Sequence, residues 1–215
     1  MTAASASTDP RVDPRVARSR ELILDAALDH FLKHGFLAAT VDAIAVEAGV
    51  AKRTVYNLFG SKDDLFRAVI GRATATAENF VEAQVGADTN LRPVDDEIRE
   101  FAVAHAAAVV TPRVVATRRL LIAEAHRFPE LATEYFERVP RAVIEAVAER
   151  LQHYARSGDL ALPDALAAAE HFAYLVLGAA LDHALFDPTS IDARARDAAA
   201  LAGADVFLRA YRAGG

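Results

Sequence analysis

The chain has 215 residues, 53% of them hydrophobic and 25% charged, with a formal net charge of −6. That is enough apolar material for a core in one large domain or two smaller ones, and the few glycines and prolines argue against disorder. The lack of cysteine excludes disulfides, thiolate metal sites and cysteine nucleophiles.

Residues 1–14 are small, polar and broken by proline, which predicts a flexible leader. Arg11, Arg15, Arg18 and Arg20 follow at its end, either as a solvated helix start or as an arm that touches phosphate. A first helix is expected over 15–34, with Leu24, Leu28 and Phe31 at helical spacing. Gly35 should stop it in a left-handed cap, and Phe36 should pack back on its last turn. His30 and His34 stand four apart, but no Glu or third ligand accompanies them, so no metal is expected. Thr40 is a good N-cap for a helix over 41–48, with Ile44 and Ala45 inward. Gly49 takes a sharp turn. A third helix should start at 51 or 52 and end at 59, with Val55 in the core and Leu58 and Phe59 as further candidates. That leaves Lys52, Arg53, Thr54, Tyr56 and Asn57 outward. Gly60 and Ser61 break the chain, and Ser61 caps a fourth helix over 62–85.

A loop is expected over 86–93 and a fifth helix over 94–110. Thr111 and Pro112 form an N-cap and first-turn proline that open a sixth, to 127. The seventh should run from 129 to 156, kinked by Pro140, and stop at Ser157-Gly158. An eighth should reach 186 and a ninth should cover 191–212. No segment alternates with period two, so the prediction is all-α with about nine helices. The eighth helix is apolar around most of its circumference, which predicts burial on more than one side. Its greasiest part, 172–186, is interrupted by Asp182 and His183 and is shorter than the roughly 20 apolar residues of a membrane span. With no signal-like apolar block at the N-terminus, a soluble cytoplasmic protein without a membrane partner is expected.

Two polar residues interrupt apolar stripes. His105 lies among Ile98, Phe101, Ala102, Ala108 and Val109; Arg118 lies among Val114, Val115, Leu121, Ile122 and Ala125. A buried polar group must find a partner. Either each is paired internally, for example with Glu124 or Asp182, or they line a mostly apolar cavity and orient a ligand. The cavity set is then Phe101, His105, Arg118, Leu121, Ile122, Phe172 and Val176, and Arg118 favours an anionic or carbonyl-bearing ligand. No G-x-S-x-G, phosphate loop or metal cluster suggests an enzyme, and no cofactor is expected.

The stretch 40–66 carries the clearest chemistry. An exposed helix set by a tight glycine turn against a second helix fits the major groove, where long and hydrogen-bonding side chains read base edges. Charge alone is a weak signal: residues 1–62 hold eight Lys or Arg against seven acids, the remainder sixteen against twenty-three. The pattern Thr40, Ile44-Ala45, Ala48-Gly49-Val50, Lys52, Thr54-Val55-Tyr56, Phe59, Ser61-Lys62 and Leu65-Phe66 closely resembles the DNA-binding domain of the TetR family of bacterial regulators. The resemblance covers about 16–66.

That resemblance implies a helix-turn-helix domain over 15–61, a connecting helix over 62–85, and a helical effector-binding and dimerisation domain over 86–215. It implies that Thr54 and Asn57 face bases or the adjacent backbone, that Lys52 and Arg53 reach bases or phosphates, and that Tyr56, Thr40 and Lys62 fix the phosphate backbone. Two positions depart from the family pattern: Ala51, where serine often caps the third helix, and Arg53, often a small residue. Residues 118–132 resemble an AefR-like C-terminal subgroup. The ninth helix is rich in alanine (Ala195, Ala198, Ala199 and Ala202), and the last two helices would pair with their two-fold mates. The expected function is a homodimeric repressor on a near-palindromic double-stranded operator, with recognition helices roughly 34–36 Å apart. Its release would come from a small, largely apolar effector with a polar or anionic group, acting through the fourth helix. An activator or protein-controlled regulator of the same fold is the alternative, and a helical enzyme the remote one.

Overall fold

The computed structural model describes residues 14–85 and 92–214, giving the backbone alone for 80–85. Nearly all of the expected leader, including Arg11, and most of the 86–93 loop lie outside the described residues. The helices are α1 (Pro14–Ala38), α2 (Val41–Glu47), α3 (Lys52–Phe59), α4 (Lys62–Val85), α5 (Val94–Val109), α6 (Pro112–Ala123), α7 (Pro129–Phe136), α8 (Ala142–Ser157), α9 (Ala165–Phe186) and α10 (Ala193–Tyr211). The described residues contain no strand, only an isolated bridge between Leu160 and Arg212. The fold is all-α, as expected. It divides into two compact units, one ending at Val69 and the next beginning at Ile70, within α4.

In the N-terminal unit, Ile23, Leu24, Leu28 and Phe31 of α1 are buried together with Ile44, Val55, Phe59, Leu65 and Phe66. Phe66 meets Phe31 and Phe36 edge-on at ring separations of 5.3 and 5.1 Å. Gly35 makes this trio possible. Its φ of 74° and ψ of 166° lie in a region essentially reserved for glycine, so the chain kinks there and one more turn returns Phe36 to the core. The helical path therefore continues past the expected stop, to Ala38. Thr40 caps α2 by accepting from the Ala43 N–H at 3.2 Å. Gly49 takes its turn at φ 67°. Ser61 accepts from the Asp64 N–H at 3.0 Å and donates to the Asp64 carboxylate at 2.6 Å, which opens α4.

In the second unit, α5, α8, α9 and α10 enclose a core that includes Ile98, Ala102, Val147, Leu151, Phe172, Val176, Ala204 and Phe207. Proline at 140 lacks an N–H, and the expected long seventh helix is split there: Glu137–Arg141 widens into a π turn between α7 and α8. The sixth helix ends at Ala123, earlier than expected, and turns carry the chain to Phe128. Buried Tyr154 directs its hydroxyl at both the Glu97 carboxylate and the Arg92 carbonyl, and Arg150 pairs with Glu97 at 2.5 and 2.8 Å, fastening α8 to α5.

The expectation that α9 is buried on several sides fails within this chain. Ala168, Ala169, Phe172, Val176 and Ala184 are buried, whereas Leu166, Tyr174, Leu175 and Phe186 are exposed. The helix is also long and apolar enough to cross a bilayer by length and composition, so the interruption at Asp182 and His183 does not exclude a span. Its buried side is fixed by α10. A Cβ on Gly203 would come within 2.3 Å of the Leu175 carbonyl oxygen, so only glycine permits this approach.

Candidate functional site

The outward face of α3 follows from its anchoring. Val55 and Phe59 are buried one turn apart, which leaves Lys52, Arg53, Tyr56 and Asn57 exposed and Thr54 half-buried. Phe59 is also covered by Arg20, whose guanidinium lies 4.8 Å from the ring centre. Ala51 occupies the N-cap position in extended backbone and makes no side-chain cap. Thr40 is exposed beside this face, and accepting from Ala43 leaves its hydroxyl hydrogen available to a phosphate.

Two of the expected contact residues have partners within the chain. The Lys52 ammonium lies 2.6 Å from Asp42, which keeps it protonated through that hydrogen bond and charge, and 5.9 Å from the Tyr56 ring centre. Lys62 is held within the head. Its ammonium donates to the carbonyls of Phe36, Leu37 and Ala39 at 2.7, 3.2 and 2.8 Å, and lies 4.4 Å from the Phe36 ring centre. Three carbonyls left open where α1 ends occupy all three of its protons. Lys62 thus clasps the end of α1 to the start of α4.

The expected cavity residues separate into two groups. Phe101 stacks on His105 at 5.4 Å and on Phe172 at 5.8 Å. His105 is 6% exposed, and burial, with a lesser push from the Arg118 cation, lowers its pKa to about 4. Its imidazole is therefore neutral near pH 7. Arg118 has an internal partner other than the examples Glu124 and Asp182: its Nε donates to the Tyr135 hydroxyl at 3.2 Å, with the guanidinium 5.9 Å from that ring. Leu121 is buried. Phe172 and Val176 are buried in the core of the second unit at 1% and 2% exposure, with Phe172 behind the Phe101 stack. Ile122 shares a side of α6 with buried Val115, but lies in the last turn, where that side is uncovered, and is 63% exposed. Among the described residues no group of three His, Cys, Asp or Glu could hold a metal. His30 instead pairs with Glu47 at 3.3 Å.

Comparison with known proteins agrees with this architecture. The model for the AefR-like transcriptional repressor C-terminal domain matches residues 96–213, more than half of the chain. The model for bacterial regulatory proteins of the tetR family matches 23–69. The chain belongs to the TetR family. An HTH-type transcriptional repressor of Streptomyces coelicolor is 38% identical over 58 residues, 27% of this chain and 29% of that protein. The match thus spans about a third or less of the length of such curated relatives. Among solved structures, a TetR-family regulator from Mesorhizobium loti has the same fold, with a TM-score of 0.84 at 24% identity over 93% of this chain and all of its own. The flavonoid-responsive regulator FrrA gives a TM-score of 0.69 at 29% identity, with the same coverage.

Within this TetR-family chain, three residues that sequence reasoning missed shape the two sites: Asp42, Tyr135 and Glu78. Arg138 takes Glu78 of α4 in a two-pronged pair at 2.7 Å on both prongs and holds Glu134 at 2.6 Å. The Glu134–Arg138 spacing of four was legible as a helical pair; the bond to Glu78, sixty residues away, left no sequence signal.

Proposed function

We propose that this chain is a transcriptional repressor that binds a near-palindromic operator as a homodimer and is released by a small molecule. The observation that carries the reading is the face of α3: Arg53, Tyr56 and Asn57 stand exposed on a helix locked from behind by Val55 and Phe59. Asn57 offers an amide suited to adenine, Arg53 a fork suited to guanine or phosphate, and Thr40 and Tyr56 hydroxyls for the backbone. The exposed apolar residues Tyr174 and Leu175 of α9 and Leu201 and Val206 of α10 support dimerisation through these helices.

His105, Phe101, Leu121 and Arg118 with Tyr135 are the effector-facing set. A neutral imidazole accepts or donates one hydrogen bond, the Arg118 guanidinium suits an anionic or carbonyl oxygen, and the Phe101 stack suits a flat apolar body. A link from that set to α4 runs through Glu78 and Arg138. FrrA, by its name, responds to flavonoids, which are flat and oxygen-bearing in the same way.

The test is a mobility-shift titration of the full chain on the intergenic DNA upstream of its own gene, followed by footprinting if a complex forms. A symmetric footprint lost in Asn57→Ala supports the reading. Binding no tighter than to arbitrary DNA moves the operator elsewhere, and no binding to any duplex at low salt refutes the reading. Native mass spectrometry then compares wild type with His105→Ala and Arg118→Ala. Co-purified small molecule retained equally by all three removes those residues from the site.

A further inference from the structure

Asp42 puts a carboxylate into the surface proposed to face DNA, and its role in binding rests on that reading. Its Oδ1 lies 2.6 Å from the Lys52 ammonium, with both side chains more than half exposed. The same ammonium faces the Tyr56 ring at 5.9 Å, so three residues of the DNA-facing surface form one array. Cations are scarce here. Lys62 is committed to three carbonyls, Arg20 covers Phe59, and residues 1–62 are nearly balanced in charge. On α3 itself only Lys52 and Arg53 are basic.

An exposed ion pair contributes little to folding, so stability does not account for this one. Its consequence lies in binding. A carboxylate oxygen and a phosphate oxygen offer an ammonium the same chemistry. A lysine already paired exchanges one anion for another when it meets DNA, releases no counterion, and leaves an uncompensated carboxylate beside the phosphates. A free lysine gains the full contact.

We propose that Asp42 is a specificity-determining residue: an internal stand-in for phosphate that holds Lys52 away from the backbone of arbitrary DNA. Affinity for non-operator sequence is suppressed, and Lys52 leaves Asp42 only where the duplex offers a better-placed acceptor, such as the paired O6 and N7 of guanine. Selectivity improves because the competitor is weakened, not because the target is strengthened.

The experiment measures fluorescence anisotropy of a labelled duplex of arbitrary sequence against the full chain, over a series of KCl concentrations, with circular-dichroism melts of each variant. For Asp42→Asn, and for Asp42→Ser as a second variant should the first melt early, affinity should tighten about two- to fivefold. The plot of log K against log salt should steepen by about 0.9, the value of one added phosphate contact. Lys52→Gln in the wild-type background should leave the slope unchanged, and Lys52→Gln combined with Asp42→Asn should return it to the wild-type value. An unchanged or shallower slope in both Asp42 variants overturns the proposal. So does a slope already reduced by about 0.9 in Lys52→Gln alone, because Lys52 would then be on phosphate with Asp42 present. Failure of wild type to bind any duplex at low salt overturns the DNA-binding reading itself, and the proposal with it, and is distinguishable from both.

Discussion

Gly203→Ala tests the packing of α9 on α10 most directly. A methyl there would lie 2.3 Å from the Leu175 carbonyl oxygen, 2.7 Å from its carbon and 3.1 Å from the Val176 nitrogen. All three are backbone atoms, so no rotamer change relieves the clash. Reaching an ordinary contact of 3.4 Å requires the helices to separate by about 1 Å. That shift loosens the seam formed by Ala200, Ala204 and Phe207, all fully buried. Overpacking of this kind costs about 1–3 kcal/mol, whereas alanine in an open helix position contributes about 1 kcal/mol in the other direction. The clash should win. In thermal melts at fixed protomer concentration, Gly203→Ala should fall by several degrees, at about 2–4 °C per kcal/mol for a chain of this size. Gly71→Ala, in α4 with nothing within 4 Å of its added methyl, is the control and should melt at or above wild type. If Gly203→Ala is as stable as Gly71→Ala, the close approach of the two backbones is wrong.

Ala51→Ser should raise the melting temperature by about 2–4 °C, because a serine in this extended N-cap position supplies the missing cap, worth roughly 1 kcal/mol, and operator affinity should not fall. Lys62→Met keeps the aliphatic stem but loses three carbonyl contacts, and should cost about 2 kcal/mol in denaturant melts while leaving the salt slope of DNA binding unchanged; a slope shallower by about 0.9 would return Lys62 to the phosphates. Leu175→Arg should shift the chain from dimer to monomer in sedimentation runs, since a charge would be buried in the proposed interface. His105 titrates near 4 when folded and 6.5 when free, so the unfolded chain binds the extra proton between those values. Its contribution is intact above pH 6.5 and is lost progressively as pH falls to 4, in total by about 3 kcal/mol. His105→Phe should lack that loss, and parallel pH profiles of the two proteins would disprove it.

The head was largely legible in the sequence because its signals are local. Thr40, Gly35, Gly49 and Ser61 each act on the backbone within a few residues, and Val55 with Phe59 defines a face within one turn. The carbonyl partners of Lys62 left no sequence signal, because they lie at the end of α1, more than twenty residues away. At Ile122, helical phase is local but coverage is not. Its phase matches Val115, yet the neighbours that bury Val115 do not extend to the last turn of α6. Arg118 was left open between an internal partner and a cavity, because the Tyr135 phenol that it meets carries no periodic signal of its own.

The hardest element to read was α9, and the reason is physical. A helix apolar on nearly every side is compatible with a deep core, a lipid bilayer or a protein interface, since each removes the same surface from water. Periodicity cannot distinguish them. Packing can. The side bearing Ala168, Ala169, Phe172 and Val176 is closed by α5, α8 and α10, with backbone touching backbone at Gly203. The other side presents Tyr174, Leu175 and Phe186, but also His171, hydrogen-bonded to the Tyr211 hydroxyl at 2.6 Å, and exposed Asp182 and His183. Lipid would strip the exposed Asp182 and His183 of water, whereas the rim of a protein contact leaves such groups solvated. Tyr174, Leu175 and Ala210 also line a groove with His171 and Tyr211, so the exposed apolar surface runs from α9 onto α10. An apolar surface shared by two helices and edged with polar groups is what a four-helix contact between two protomers requires. The features that make α9 ambiguous in sequence are thus those that the proposed pairing of two protomers would use.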